Sequence, residues 1–199
     1  RQAADEIKKA RLTVARFLGA HAEEIIFTSS GSEANNLAIN GVAVAYGKKR
    51  NKIITTKIEH PSVLRPIEKL RDYGFNIGYL KNDEVGFVDP SDLKRHLDKR
   101  TLIVSVMYAN NEIGTIEPIR ELGVSIEGFR KKFRSNFPLF HVDACQAAGY
   151  MNMSVNTLKA DLVSFNGSKI GGPRGVGVLY IRKGVSVEPL IRGGGQERG

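Results

Sequence analysis

At 199 residues, 41% of them hydrophobic and 26% charged, the chain can bury a good core and has the composition of a soluble globular domain. No apolar run approaches the roughly 18–20 residues that cross a bilayer and no signal-peptide pattern opens the chain, so no membrane association is expected. The formal net charge of +9 does not point to a nucleic-acid partner. The basic residues are dispersed, apart from Lys48-Lys49-Arg50 and a run from Arg130 to Arg134, both near predicted helix ends where solvated cations are expected.

Apolar residues at Ala3, Ile7, Ala10, Val14 and Leu18 predict a first helix that Gly19 stops. A short strand follows at residues 24–28, then a helix from about Glu33 to Tyr46 and a strand at 52–56. Pro61 opens the next helix. Pro66 within it is expected to kink it or mark its true start, Gly74 ends it, and residues 75–80 form a strand. Asp89-Pro90 is a helix start with a capping carboxylate and proline at the first helical position. Residues 101–108 are apolar and rich in β-branched side chains, a buried strand. A helix at 118–134, weakened by Gly123 and Gly128, precedes strands at 139–142, 162–165 and 176–181, with a short helix at 155–159. This alternation predicts an α/β fold with a mainly parallel sheet covered by helices on both faces.

In such a sheet ligands bind beyond the carboxyl ends of the strands. Chemically capable residues fall at those ends: Ser29–Ser32, His60, Asn110, Asp143 and Lys169. Ser29-Ser30-Gly31-Ser32 joins a strand to a helix N-terminus, where free N–H groups and the helix dipole suit an anion, or where a serine simply caps the helix. Residues 161–177, Asp-Leu-Val-Ser-Phe-Asn-Gly-Ser-Lys-Ile-Gly-Gly-Pro-Arg-Gly-Val-Gly, place one lysine in a glycine-rich loop. Burial there would favour a neutral, nucleophilic amine able to form a Schiff base, whereas in a plain surface hairpin Lys169 would have no such role. The one cysteine, Cys145, excludes an internal disulfide and points to a reducing, cytoplasmic compartment. Flanked by Ala144, Ala147 and Ala148, it is expected to be a small buried hydrophobe rather than a reactive thiol.

The segment Ser164–Gly177 resembles the cofactor-lysine segment of class V pyridoxal-phosphate enzymes, particularly the cysteine desulfurases, and Asn110-Asn111-Glu112-Ile113-Gly114 is nearly identical to a motif of that family. The resemblance implies a pyridoxal 5'-phosphate cofactor on the large domain of a fold-type-I enzyme. Lys169 would hold it covalently and serve catalysis. His60, in Glu59-His60-Pro61-Ser62, would lie against its ring and act as acid or base. Gly31 and Ser32 would receive the phosphate, Asn110 the ring hydroxyl and substrate, Asp143 the ring nitrogen, and Gln146 the ring oxygen. Asn166 and Ser168 stand where the family usually has Ser and His in its phosphate grip; both still donate hydrogen bonds, but the lost imidazole implies weaker cofactor binding. No metal site is implied.

The implied activity is removal of sulfur from L-cysteine, giving L-alanine and an enzyme persulfide for iron–sulfur cluster assembly or thio-modification, with a homodimer and a sulfur-acceptor or scaffold protein as partners. Selenocysteine lyase, another class V activity and a non-catalytic cofactor-binding scaffold are the alternatives. The chain opens on Arg1 within a helical pattern and stops at Gly193-Gly194-Gly195-Gln196-Glu197-Arg198-Gly199, also family-like. Residues 1–199 are therefore expected to be an incomplete large domain. The small C-terminal domain, the persulfide cysteine and the substrate-carboxylate arginine would lie elsewhere in the parent.

Overall fold

Seven strands form one sheet in the computed structural model, which describes residues 2–194 and 197. Arg1, Gly195, Gln196, Arg198 and Gly199, part of the terminal glycine motif, lie outside the described residues. The strands are β1 (Ile25–Thr28), β2 (Lys52–Thr55), β3 (Asn76–Tyr79), β4 (Thr101–Met107), β5 (Leu139–Asp143), β6 (Leu162–Asn166) and β7 (Gly177–Ile181), in the spatial order β1-β7-β6-β5-β4-β2-β3. Pairing is parallel from β3 through β2, β4 and β5 to β6, while β7 runs antiparallel to both β6 and β1. The expected mainly parallel α/β sheet is present.

The reason is visible in the burial pattern. All residues of β4 and β5 are buried, as a strand covered on both faces demands. One face carries Val104, Val106, Phe140, Val142 and Val163, and packs against α1 (Gln2–Leu18), α4 (Pro90–His96), α5 (Ile119–Phe133) and α6 (Val155–Leu158). The other carries Ile53, Ile103, Leu139, Leu162 and Leu179, and packs against α2 (Gly31–Tyr46) and α3 (Pro61–Lys69). Each fully buried Ile, Leu or Phe contributes about 1.5–3 kcal/mol through removal from water.

Two local readings change. Pro66 neither breaks α3 nor starts it: the helix runs from Pro61, capped by His60, with Pro66 buried inside. A proline leaves the carbonyl four residues earlier without a donor. That carbonyl belongs to Ser62, and Asn36 of α2 supplies the missing bond from Nδ2 (3.3 Å). The proline thus ties α3 to α2. The stripe predicted for α1 is also only partly used: Leu18 is buried, as is Ala15 beside the stripe, but Ile7 is half exposed.

At the sheet edge, Arg11 of α1 reaches over β1. Its Nη1 donates to the Ile25 carbonyl (2.6 Å), and its guanidinium grips the Glu197 carboxylate, which in turn accepts from the Phe27 N–H (3.0 Å).

Candidate active site

The five strand ends marked in the sequence close on one cavity of about 190 Å³. After β1, Ser30 caps α2, its hydroxyl accepting from the Glu33 N–H (3.1 Å), while the Glu33 carboxylate accepts from the Ser29 N–H (2.7 Å). That leaves the N–H groups of Gly31 and Ser32, both lining the cavity, with no protein acceptor among the described residues. Two glycines make this loop possible. A Cβ on Gly177 would stand 2.4 Å from the Ser30 carbonyl, and one on Gly31 would stand 2.5 Å from Cys145 Sγ. Neither side chain would fit without movement of its neighbour.

Asp143, at the end of β5, is buried and held from two sides: Asn35 of α2 donates to its Oδ2 (2.8 Å) and the Cys145 N–H to its Oδ1 (3.0 Å). One step back along the same face, buried His141 bridges β4 and β6, with Nδ1 2.8 Å from Ser105 Oγ and Nε2 2.9 Å from Ser164 Oγ. Burial drives its pKa down to about 4, so it is neutral at physiological pH. Cys145 also lines the cavity; burial, reinforced by Asp143, pushes its thiol well above the ordinary range.

His60 follows β2 and caps α3, its Nδ1 accepting from the Ser62 N–H (3.1 Å). Beside it lies Glu59, buried, whose Oε1 accepts from Thr56 Oγ1 (2.7 Å) and from the Met107 N–H (3.0 Å). Burial raises Glu59 to about 8, and it pins the end of β4 to the histidine segment.

Gly31, Ser32, His60, Asp143, Gln146, Asn166 and Lys169 all line the cavity. Asn110 and Ser168 do not. The Asn110 amide is engaged elsewhere: Oδ1 accepts from the Glu112 and Ile113 N–H groups of its own loop, and Nδ2 donates to the Ile58 carbonyl (3.0 Å) after β2 and to Met107 Sδ. Asn111 lines the cavity from that strand end. Ser168 is exposed in the 3-10 turn at residues 167–169. Lys169 is exposed as well, so the burial expected for it is not provided by these residues. Asn35, Ser62 and Asn111 are the polar cavity residues that sequence reasoning missed; Asn35 and Ser62 matter only because α2 and α3 meet beside Asp143.

A larger groove of about 500 Å³ opens by β1, Ile181–Val187 and Glu197, but it lacks this convergence. Its buried carboxylate, Glu24, already accepts from the His21 and Lys183 N–H groups (2.9 and 2.8 Å).

Comparison with known proteins gives the family. The family described as Aminotransferase class-V matches residues 1–198. A protein named cysteine desulfurase IscS from Dictyoglomus turgidum is 49% identical over 198 residues, covering 99% of this chain and 48% of its own length. Among solved structures, a NifS-like protein superposes with a TM-score of 0.93 at 42% identity, over all of this chain and 53% of that one. SspA in complex with cysteine gives 0.90 at 35% identity, over 98% and 55%. The chain spans about half the length of the curated relatives it matches. With the family matched from residue 1 to 198, and with Gly31, Ser32, His60, Asp143 and Lys169 on one cavity, the chain belongs to the class V aminotransferase family.

Proposed function

We propose that these residues form the cofactor-binding large domain of a pyridoxal 5'-phosphate-dependent cysteine desulfurase. The whole protein would take sulfur from L-cysteine, release L-alanine and leave a persulfide on a thiol outside this chain. The observation that supports it most is the convergence of Lys169, Asp143, His60 and the Gly31–Ser32 N–H groups on one cavity, in a chain 49% identical to a named desulfurase.

Class V aminotransferases and cysteine desulfurases are pyridoxal-phosphate-dependent, and the residues present fit that group. The N–H groups of Gly31 and Ser32 at the start of α2 suit a phosphate. Asn166, on the same wall, brings a side-chain amide whose NH₂ group can donate to a phosphate. Asp143 offers a carboxylate for a protonated ring nitrogen, His60 a flat imidazole and Gln146 an amide. Lys169 Nζ would hold the cofactor and carry protons to and from the reacting carbons. When bound, the cofactor supplies an electron-withdrawing ring that stabilises negative charge on substrate carbon.

The exchange balances without added oxidant or reductant. The C–S bond of cysteine breaks, a proton takes the place of sulfur on carbon, and the sulfur joins the acceptor thiol as a persulfide. Cys145 does not suit that acceptor role, since it is half-buried beside Asp143 and its thiol is pushed well above the ordinary range. The persulfide would pass to an acceptor or scaffold protein, and the intact enzyme would be a homodimer. A single free cysteine, and no helix among the described residues long and apolar enough to cross a membrane, support a reducing, cytoplasmic setting.

The test is to load the intact protein with pyridoxal phosphate, reduce it with borohydride and map the labelled peptide, then assay alanine from L-cysteine. Label on Lys169 together with alanine formation supports the reading. Label elsewhere, or none, overturns it.

A further inference from the structure

A chain of hydrogen bonds runs from Asp143 to His60 through two residues that the reaction does not otherwise use. Asn35 Nδ2 donates to Asp143 Oδ2 (2.8 Å) and to Ser62 Oγ (2.9 Å). Ser62 Oγ lies 2.7 Å from His60 Nδ1, and the Ser62 N–H also donates to that nitrogen (3.1 Å). Asn35 is buried on the first turns of α2, and Ser62 is half buried at the start of α3.

The donor and acceptor roles along this chain have one self-consistent arrangement. A carboxylate only accepts, so Asn35 must turn its NH₂ group toward Asp143, and that group's second hydrogen points to Ser62. The Ser62 hydroxyl, accepting from Asn35, has a single hydrogen left, and it goes to His60. The backbone N–H of Ser62 donates to Nδ1, so Nδ1 is the bare, accepting nitrogen and the hydroxyl hydrogen turns to it as well. The remaining proton sits on Nε2, across the ring.

We infer that Asn35 and Ser62 are positioning residues that relay the charge of Asp143 to His60 and hold its imidazole in the Nε2–H form. The inference deepens the proposed function, because it assigns the state in which His60 meets cofactor and substrate there. His60 presents an N–H donor at Nε2, and taking up a proton at Nδ1 requires the Ser62 hydroxyl to turn away and the helix-capping bond to break. Such a network is worth more than its separate bonds because each member polarises the next. It is anchored mechanically as well. Pro66 frees the Ser62 carbonyl, Asn36 takes it, and Ser62 is thereby held against α2 from both its side chain and its backbone.

The experiment is long-range ¹H–¹⁵N spectroscopy of the cofactor-free protein carrying ¹⁵N-labelled histidine. His60 is expected to show Nδ1 as a hydrogen-bonded bare nitrogen and Nε2 as an N–H nitrogen. Ser62→Ala and Asn35→Leu should each move Nδ1 toward the exchange-averaged position of an unconstrained imidazole, and Ser62→Thr should restore it. His141, enclosed by Ser105 and Ser164, serves as the internal check: its signals should stay in place in every variant that folds. A wild-type His60 protonated on Nδ1 overturns the inference, as does an Nδ1 signal that stays put in both Ser62→Ala and Asn35→Leu. Since no cofactor is present, the result stands whether or not Lys169 is labelled, and failure of one reading does not carry the other with it.

Discussion

The two walls of the cavity are built in opposite ways. The Asp143 wall is sheet: its carboxylate is buried at the end of a fully buried strand, bonded by Asn35 and the Cys145 N–H, and backed by the Ser105–His141–Ser164 row. The Lys169 wall is loop: residues 168–176 are all exposed. The contrast shows how such a site divides its labour. A group that must stabilise charge gains from fixed donors in a dry setting, where reorganisation is already done. Under the proposed function Lys169 would form and release a bond, and a glycine-rich loop gives it the room that this needs.

The sharpest way to break this comparison is at Lys169. Lys169→Ala is expected to abolish borohydride-trapped cofactor completely while leaving the urea-unfolding midpoint close to wild type, because an exposed loop side chain contributes little to packing. A large stability loss would mean that the loop wall is structural after all. Asp143→Ala should do the reverse in part: about 10²-fold or more off the rate of alanine formation by the intact enzyme, with measurable destabilisation, since the Asn35 and Cys145 donors lose their acceptor. Unchanged turnover would remove Asp143 from its assigned role. Gly177→Ala tests the seam between the sheet and the Ser29–Ser32 loop. Its Cβ would meet backbone atoms of Ser30 at 2.4 Å, so a loss of about 1–3 kcal/mol and weaker cofactor retention are expected by denaturant titration and dialysis. Wild-type values would show that the loop yields freely.

The smallest effect concerns pH. Burial raises Glu59 to about 8 and Glu117 to about 7, from an ordinary 4.5. Between those limits the folded chain keeps protons that the unfolded chain has released, so stability falls as pH rises through the window. His141, lowered from 6.5 to about 4, acts the other way, costing stability as pH falls below 6.5. The two oppose each other on the acid side and only the carboxyls act above it. Glu59→Gln should therefore flatten a decline on the order of 1 kcal/mol per pH unit between pH 6.5 and 8. Parallel wild-type and variant slopes in urea unfolding at pH 6.5, 7 and 8 would sink it.

The sheet wall was also the more legible. The β-branched run at 101–108 read as a buried strand, Asp89-Pro90 as a helix start and 139–142 as a strand running into Asp143, and the structure has β4 at Thr101–Met107, α4 from Pro90 and β5 ending at Asp143. What could not be read were contacts between distant residues. Asn35 and Asp143 are 108 positions apart, and nothing local marks Asn35 among its neighbours on α2. Asn110 misled for a related reason: its motif announces a functional loop, but a short polar side chain can spend its hydrogen bonds on its own backbone, as here. The antiparallel direction of β7 was equally hidden, because a glycine-rich return of this length suits either sense.

The Arg11–Glu197 pair over β1 has a consequence for the life of the chain in a crowded solution. β1 has a sheet neighbour on one side only, and its outward Ile25 carbonyl and Phe27 N–H are the groups onto which another strand would dock. Exposed edges of this kind template intermolecular pairing and aggregation. Here one guanidinium and one carboxylate occupy both groups, standing in for a strand that is not there and leaving no ladder to extend. Glu197 and Arg11 thus guard the seam where this sheet would otherwise stick to its own kind.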